Sequence, residues 1–378
     1  MLGNALILGR KREQNEQKGQ LVNTLFERCW VNLSVLSPAH ATVWHRCTRK
    51  IGFSTDRPWA IAQSNPGAYI QRMEFENTSH HTLHVPMSLQ EARTRGLRSS
   101  QLTPVFLRDH KLRGTFTSDA HVRTVRIPPW AREDPHWWTL FNELSAVTAT
   151  RPHALVTGNS AAYLRGLPVK LRPELDIAVP RKYNPIAVPH VKTFRMTDTT
   201  NVTKEGLRFH HLGGILHVIA RQEPVDNLVA VLDALMGPWR RPAELTRTKL
   251  DQLVAAGPKT YGWPKLKQAS ALARENVASP QETRLRLALI RSGLPEPVVA
   301  HPVWIERFGV HIHPDLAYPF AKIAIEYEGR HHFELTEQVL KDTERYYELG
   351  RLGWTVIRVT ALHKLDSVVL KVRECLEA

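Results

Sequence analysis

The apolar positions fall into periodic runs from about residue 86 onward and are irregular before it. A helical spacing surfaces between Leu21 and Val35 and dissolves again. Trp30, Trp44 and Trp59 stand among Arg, His, Ser and Pro with no period. Residues 1–85 therefore read as an extension lacking the strand-turn-strand and capped-helix patterns of a packed domain. Met73 or Met87 would then serve as an alternative translation start.

Residues 86–135 carry clearer signals. Ser88 precedes Leu89-Gln90-Glu91-Ala92-Arg93 as an N-cap with Glu91 three positions on, and Gly96 stops that helix. A second short helix is predicted from Ser99 or Ser100 through Leu102, Val105 and Leu107. Gly114–Thr117 and His121–Arg126 follow as extended segments. Two short helices and a basic β-wing make up a winged-helix-like segment. A plain α+β subdomain is the alternative. Residues 136–275 read as an α/β middle domain. Helices are predicted over Trp138–Ala149, from Ser160 to Leu164, and over Pro224–Leu235, Leu245–Ala256 and Lys265–Arg274. Strands are predicted over Ala154–Thr157, Leu175–Val179 and Leu207–His211. No phosphate-binding glycine loop occurs there.

The pattern is sharpest at the C-terminal end, residues 279–378. Ser279 caps a helix with Pro280 at its first position and Glu282 at the capping-box position. Leu285, Leu289 and Ile290 form its apolar stripe, and Gly293 ends it. Strands Val298–Trp304, Val310–Ala317 and Ile323–Glu328 follow, then a helix from about Glu337 to Leu352, strand Trp354–Thr360 and a last helix near Val368–Leu376. The order is α-β-β-β-α-β, a mixed sheet flanked by helices. The fold class is α/β throughout.

Composition narrows the partners. Fifty-one Lys and Arg face 36 Asp and Glu, a formal charge of +15. Such a field attracts phosphate backbones and favours nucleic acid, although anionic membranes would satisfy it equally. The three cysteines, Cys29, Cys47 and Cys375, form no CxxC pair, so neither a disulfide framework nor a cysteine zinc site is expected, and a reducing cytoplasm fits. No secretory leader and no membrane-spanning run of about 18 apolar residues is read.

Two carboxylate positions carry candidate chemistry. Alternation along the second C-terminal strand puts Asp315 on one face with His311 and His313. In the third, Glu326 and Glu328 share the face opposite Ile323, Ile325 and Tyr327. Two acids on one face of an apolar strand are costly to desolvate unless partnered. A divalent cation is one partner: Mg²⁺ binds through one or two carboxylates plus substrate phosphate, polarising the phosphate and acidifying the attacking water. A structural ion pair with Arg345 or Lys341 is the other. His311-x-His313 suits zinc or, lacking a further ligand in sequence, hydrogen-bonded edge histidines. Lys341 and Arg345, four apart, share a helical face suited to phosphate contact or to solvation.

Five ordered blocks resemble the PD-(D/E)xK nucleases, and more closely the Vsr-like endonucleases. They are Ser-Pro-Gln-Glu-Thr-Arg-Leu-Arg at 279–286, Pro-Asp-Leu-Ala-Tyr-Pro at 314–319, Ile-Glu-Tyr-Glu-Gly-Arg-His-His at 325–332, Lys-Asp-Thr-Glu-Arg at 341–345 and Leu-Gly-Trp-Thr-Val-Ile-Arg-Val-Thr at 352–360. The resemblance implies a restriction-endonuclease-like domain in which Asp315 and Glu326 bind Mg²⁺, with Mn²⁺ as substitute. Glu328 stands where the family has lysine or an acid, so Glu328 or His332 would assist metal or water. Glu282 would support the site, and Arg330, His331, Lys341 and Arg345 would contact DNA phosphate. Residues 86–275 resemble AbiEi-like antitoxins more faintly, through Gly158-Asn159-Ser160-Ala161-Ala162 and Leu175-Asp176-Ile177-Ala178-Val179-Pro180. The expected function is a Mg²⁺-dependent DNA endonuclease in defence or repair. The alternatives are an antitoxin-like or regulatory DNA-binding protein with an inactive nuclease fold, and a nuclease acting on RNA or damaged DNA.

Overall fold

The computed structural model describes residues 80–240, 242–258, 260–328 and 336–378, within the unit Phe75–Ala378, and of 336–342 the backbone only. The readings made of residues 1–79, of Arg330, His331 and His332, and of the Lys341 side chain lie outside the described residues.

The described chain opens with β1 (His80–His84), β2 (Met87–Ser88) and helix α1 (Leu89–Thr94). The Ser88 hydroxyl accepts from the Glu91 amide at 3.0 Å, the N-cap its sequence calls for. The expected second helix does not form. Ser99–Gln101 makes a single 3-10 turn, and Thr103–Leu107 is strand β3, followed by β4 (His110–Thr117) and β5 (Val122–Arg126). Pro104 forces Thr103 into extended backbone, and the β-branched and aromatic residues Val105 and Phe106 prefer a strand. The two-helix requirement of a winged helix-turn-helix is therefore not met in this segment; it is a β2-β4-β3 sheet beside a β1-β5 ribbon. The ribbon also moves the boundary expected at residue 85, because His80 to His84 pair in register with Arg126 to Val122. Of these five residues only Leu83 is buried, so the strand carries almost no apolar signal.

Helix α2 (Pro135–Ala149), β6 (Leu155–Val156), α3 (Gly158–Leu164), β7 (Leu175–Pro180) and β10 (Leu207–His210) fall where they are expected. Strands β8 (Val191–Met196) and β9 (Asn201–Lys204) and helix α4 (Leu212–Gln222) are additional. The sheet runs β8-β7-β6-β10-β9, parallel at β7/β8 and β6/β10 and antiparallel elsewhere. Buried Asp176 on β7 receives the Asn159 amide at 2.8 Å and the Gln222 amide at 2.9 Å. Gly158 has φ +54°, and a Cβ there would stand 2.5 Å from the Asp176 carboxylate, so the motif's glycine is fixed by this contact. Helices α5 (Val225–Met236), α6 (Arg247–Ala256) and α7 (Trp263–Leu272) complete this region.

Helix α8 (Pro280–Arg291) begins the C-terminal region. The two strands expected after it each break in two, giving β11 (Val298–Val299), β12 (Val303–Ile305), β13 (Val310–Ile312) and β14 (Leu316–Tyr318). Pro302 and Pro314 lie at the breaks and supply no ladder N–H. The outer halves pair as the hairpin β12-β13. The inner halves join β15 (Ile323–Glu328) and β16 (Thr355–Thr360) in the order β11-β14-β15-β16, with β15 parallel to β16. Helices α9 (Thr336–Arg351) and α10 (Leu365–Glu377) match expectation. The fold is mixed α/β. Among the described residues no helix is long and apolar enough to cross a membrane.

Two apolar cores meet at α8. Leu287 belongs to the large core built from residues 83–273. Leu285 and Leu289 belong to a second, with Leu316, Tyr318, Ile323, Ile325 and Ile357. Between them Arg286, 0% exposed, pairs with Asp233 of α5 at 2.8 Å. Thr283 also donates to Asp233, and Arg286 reaches the Leu272 carbonyl and Glu296. Removing one partner of such a pair strands a buried charge. Arg286→Ala is expected to lower unfolding free energy by about 3–5 kcal/mol in urea titrations. Asp233→Asn combined with Arg286→Leu should recover part of that loss; a double variant less stable than the single one contradicts the assignment.

Candidate functional site

The acids singled out in the sequence gather around β15. Ile323 and Ile325 enter the second core, whereas Ala324 packs on the other side against Leu349 of α9. Glu326 lies two residues beyond Ala324, and Arg345 one helical turn before Leu349, so they extend the same contact. Glu326 is 5% exposed. Arg345 Nη2 donates to Glu326 Oε1 at 2.7 Å and to the His313 carbonyl at 3.0 Å. The ion pair with Arg345 that the sequence left open is thus formed.

Asp315 does not share a strand face with His311 and His313, because the strand breaks at Pro314. It occupies the bend just before β14, whose last registered pair with β15 is Leu316 with Ile325. Its Oδ2 accepts from the Tyr327 amide at 2.7 Å, which holds the carboxylate against the 326–328 stretch of β15. Its carbonyl accepts from the Ala300 amide at 3.2 Å, tying the two strand breaks together.

Glu282 reaches the same place from α8. Ser279 caps the helix as expected, accepting from the Glu282 amide at 3.3 Å. The Glu282 carboxylate reaches back one residue further than a capping box requires, to the Ala278 amide at 3.0 Å. Burial, reinforced by the negative charge of Asp315 and more weakly of Asp233, pushes the carboxyl up to about 7, against the pull of the Ser279 and Ala278 hydrogen bonds. A carboxyl so placed exchanges its proton near neutral pH.

Glu328 is bound differently. Arg358 of β16 pairs with Oε1, the Tyr346 hydroxyl donates to the same oxygen at 3.4 Å, and the guanidinium lies 5.1 Å from the Tyr346 ring centre. His311 packs on Trp304 with ring centres 5.0 Å apart, and His313 Nδ1 lies 3.0 Å from the Ala300 carbonyl. These contacts match hydrogen-bonded edge histidines. Among the described residues no group of three or more His, Cys, Asp or Glu is gathered closely enough to hold a metal ion. The donor chemistry of Asp315 and Glu326 nonetheless fits a hard cation that takes one or two carboxylates and completes its shell with water and phosphate. The raised Glu282 carboxyl marks negative charge that such an ion would offset.

Sequence reasoning missed Arg358 and Tyr346 as partners of Glu328, and the His313 carbonyl as a second acceptor for Arg345. Parallel register aligns Glu326 with Arg358, and no local pattern encodes that alignment.

The Glu282 carboxyl gives a pH test. Its ordinary value is 4.5, and in the fold it is raised to about 7. Between these values the folded form keeps a proton that the unfolded form has lost, so this contribution is complete below the lower value and lost as pH rises to the upper. Glu282→Gln keeps an oxygen for the Ala278 amide and removes the titration. Thermal melts should show the variant gaining on the parent from pH 5 to pH 8, by about 1–3 kcal/mol in all. A difference independent of pH contradicts the raised carboxyl.

No known family's sequence profile matches the chain. It is similar to two proteins of Mycobacterium tuberculosis, from strains CDC 1551 / Oshkosh and H37Rv, both described as uncharacterized. Each is 28% identical over 141 residues, covering 37% of this chain and 50% of the relative. The chain thus spans about half the length of the curated relatives it matches.

Proposed function

We propose that residues 279–378 form a restriction-endonuclease-like, Vsr-like domain that hydrolyses DNA phosphodiester bonds with Mg²⁺. The observation that carries this is the placing of Asp315 against β15 by its bond to the Tyr327 amide, and near Glu282 of α8, among the acids singled out for the site. Two of these acids raise one another's electrostatic cost, as the Glu282 carboxyl records. The order α8, β11 to β15, α9, β16, α10 and the charge of +15 are compatible with the same reading. Asp315 and Glu326 would hold the cation, which when bound polarises the phosphate and acidifies a water. Glu282, protonating near neutrality, would accept the proton that this water loses as its oxygen bonds phosphorus. The phosphorus–oxygen ester bond breaks on the far side, and the leaving oxygen takes a proton from solvent. Arg345 would hold a phosphate oxygen.

One observation favours a second reading. Each acid of β15 is matched to an arginine of the fold, Glu326 to Arg345 and Glu328 to Arg358. A DNA-binding protein of antitoxin-like or regulatory kind, with an inactive nuclease fold, would use them as structural pairs. Supercoiled plasmid incubated with the full chain separates the readings. The nuclease reading expects relaxation or linearisation with Mg²⁺ or Mn²⁺ and none with EDTA. It expects a loss on the order of 100-fold or more in Asp315→Ala. Salt-sensitive binding with no cleavage in any divalent metal, and unchanged affinity in Asp315→Ala, supports the second.

A further inference from the structure

We propose that Arg345 is an exchangeable counter-ion: it neutralises Glu326 when the site lacks cation and substrate, and passes to a phosphodiester oxygen when both arrive, so that cation and nucleic-acid phosphate bind cooperatively. The inference rests on the metal-dependent reading above.

Glu326 is buried, and a buried carboxylate needs a positive partner before any metal arrives. Arg345 does so, with both contacts made by one nitrogen, Nη2, to Glu326 Oε1 and to the His313 carbonyl. A planar guanidinium binds a carboxylate best through two parallel bonds, and the same fork suits a phosphate. This pairing therefore uses the arginine below its capacity. Access differs from that of the Arg286–Asp233 pair as well. The Arg345 side chain is 29% exposed, whereas that of Arg286, paired with Asp233, is 0% exposed. Arg286 is locked in the interior; Arg345 has a path to solvent and to a bound polyanion.

A divalent ion on Glu326 and a guanidinium on the same carboxylate repel each other at contact distance. Without substrate, the cation must displace Arg345 or bind weakly beside it. A phosphodiester brings a negative charge that both positive groups can share, and the repulsion becomes a common attraction. Linkage makes the coupling reciprocal: phosphate tightens the cation as much as the cation tightens phosphate.

The test measures Mn²⁺ affinity of the full chain by calorimetry, with and without a phosphorothioate DNA duplex that resists cleavage. The parent should bind Mn²⁺ about tenfold more tightly with DNA present, within the usual range of coupling. Arg345→Gln should bind Mn²⁺ more tightly than the parent without DNA and should lose most of the DNA effect. Arg345→Lys, which keeps the charge without the fork, should fall between. Asp315→Ala separates the layers. If the parent and Asp315→Ala bind Mn²⁺ alike, the metal reading fails and the exchange with it. If Asp315→Ala loses Mn²⁺ while Arg345→Gln matches the parent and DNA has no effect, the metal reading stands and the exchange is overturned. The parent alone gives a check that needs no variant. Phenylglyoxal labelling of Arg345, mapped by mass spectrometry, should rise severalfold with saturating Mn²⁺ and fall again with DNA. Labelling indifferent to Mn²⁺ overturns the proposal.

Discussion

The placement of helix α8 depends on the buried pair between Arg286 and Asp233. Apolar contacts of Leu285, Leu287 and Leu289 would tolerate a small rotation of the helix, since leucine side chains adapt to neighbouring holes. A guanidinium at 2.8 Å from a carboxylate does not tolerate it. Two ions removed from water cost several kcal/mol each, and only near-ideal geometry with further hydrogen bonds offsets that. Thr283, the Arg274 amide, the Leu272 carbonyl and Glu296 supply those bonds. The ion pair therefore sets the rotation of α8 about its axis, and with it the direction of Glu282, one turn earlier on the same helix. Asp233 acts on the site a second time, since its charge adds to the field that keeps Glu282 protonated.

Four buried acids of the described chain share one pattern. Asp233, Glu326 and Glu348 are paired with arginines, and Glu223 with Arg172. At Glu223 burial raises the carboxyl, yet the hydrogen bonds from Asn159, Asn227 and Arg172 outweigh it and hold the group below its ordinary value. Asp176 is pushed up by burial, while Gln222 and Asn159 pull the other way. Glu282 is pushed up by neighbouring carboxylates in addition to burial. Glu282 lies in the first turn of α8, and Asp315 just before β14.

Much of this was legible in the sequence, and the failures have a common physical origin. The caps at Ser88 and Ser279, the bounds of β15, and the helices α9 and α10 follow from local rules that need no partner. The strand of His80–His84 was not legible because a mostly exposed ribbon has no apolar alternation. The helix expected after Ser99 failed because Pro104 and β-branched neighbours outweigh a helical spacing of leucines. The faces of Asp315, His311 and His313 were misassigned because two prolines split strands that alternation treats as continuous. At the site, the residue types were legible but their partners were not. Arg345 could be named from its helical face, whereas Arg358 and the His313 carbonyl depend on strand register and chain reversal.

The global charge and the local site make opposite demands, and that contrast bears on function. A net charge of +15 draws a polyanion toward the surface from any direction, but solvent screens it beyond about 10 Å. At Glu282 and Asp315 the local field is negative, as the raised Glu282 carboxyl records, whereas Glu326 is paired with Arg345. The fold places Glu282 near enough to Asp315 for that charge to raise its carboxyl, an effect that weakens the folded state as pH rises toward neutral. Local destabilisation of this kind persists where the surrounding structure enforces it, and the enforcing element here is the Arg286–Asp233 pair beneath α8. The buried pair of Arg286 and Asp233 thus fixes the helix that carries Glu282 toward the charge of Asp315.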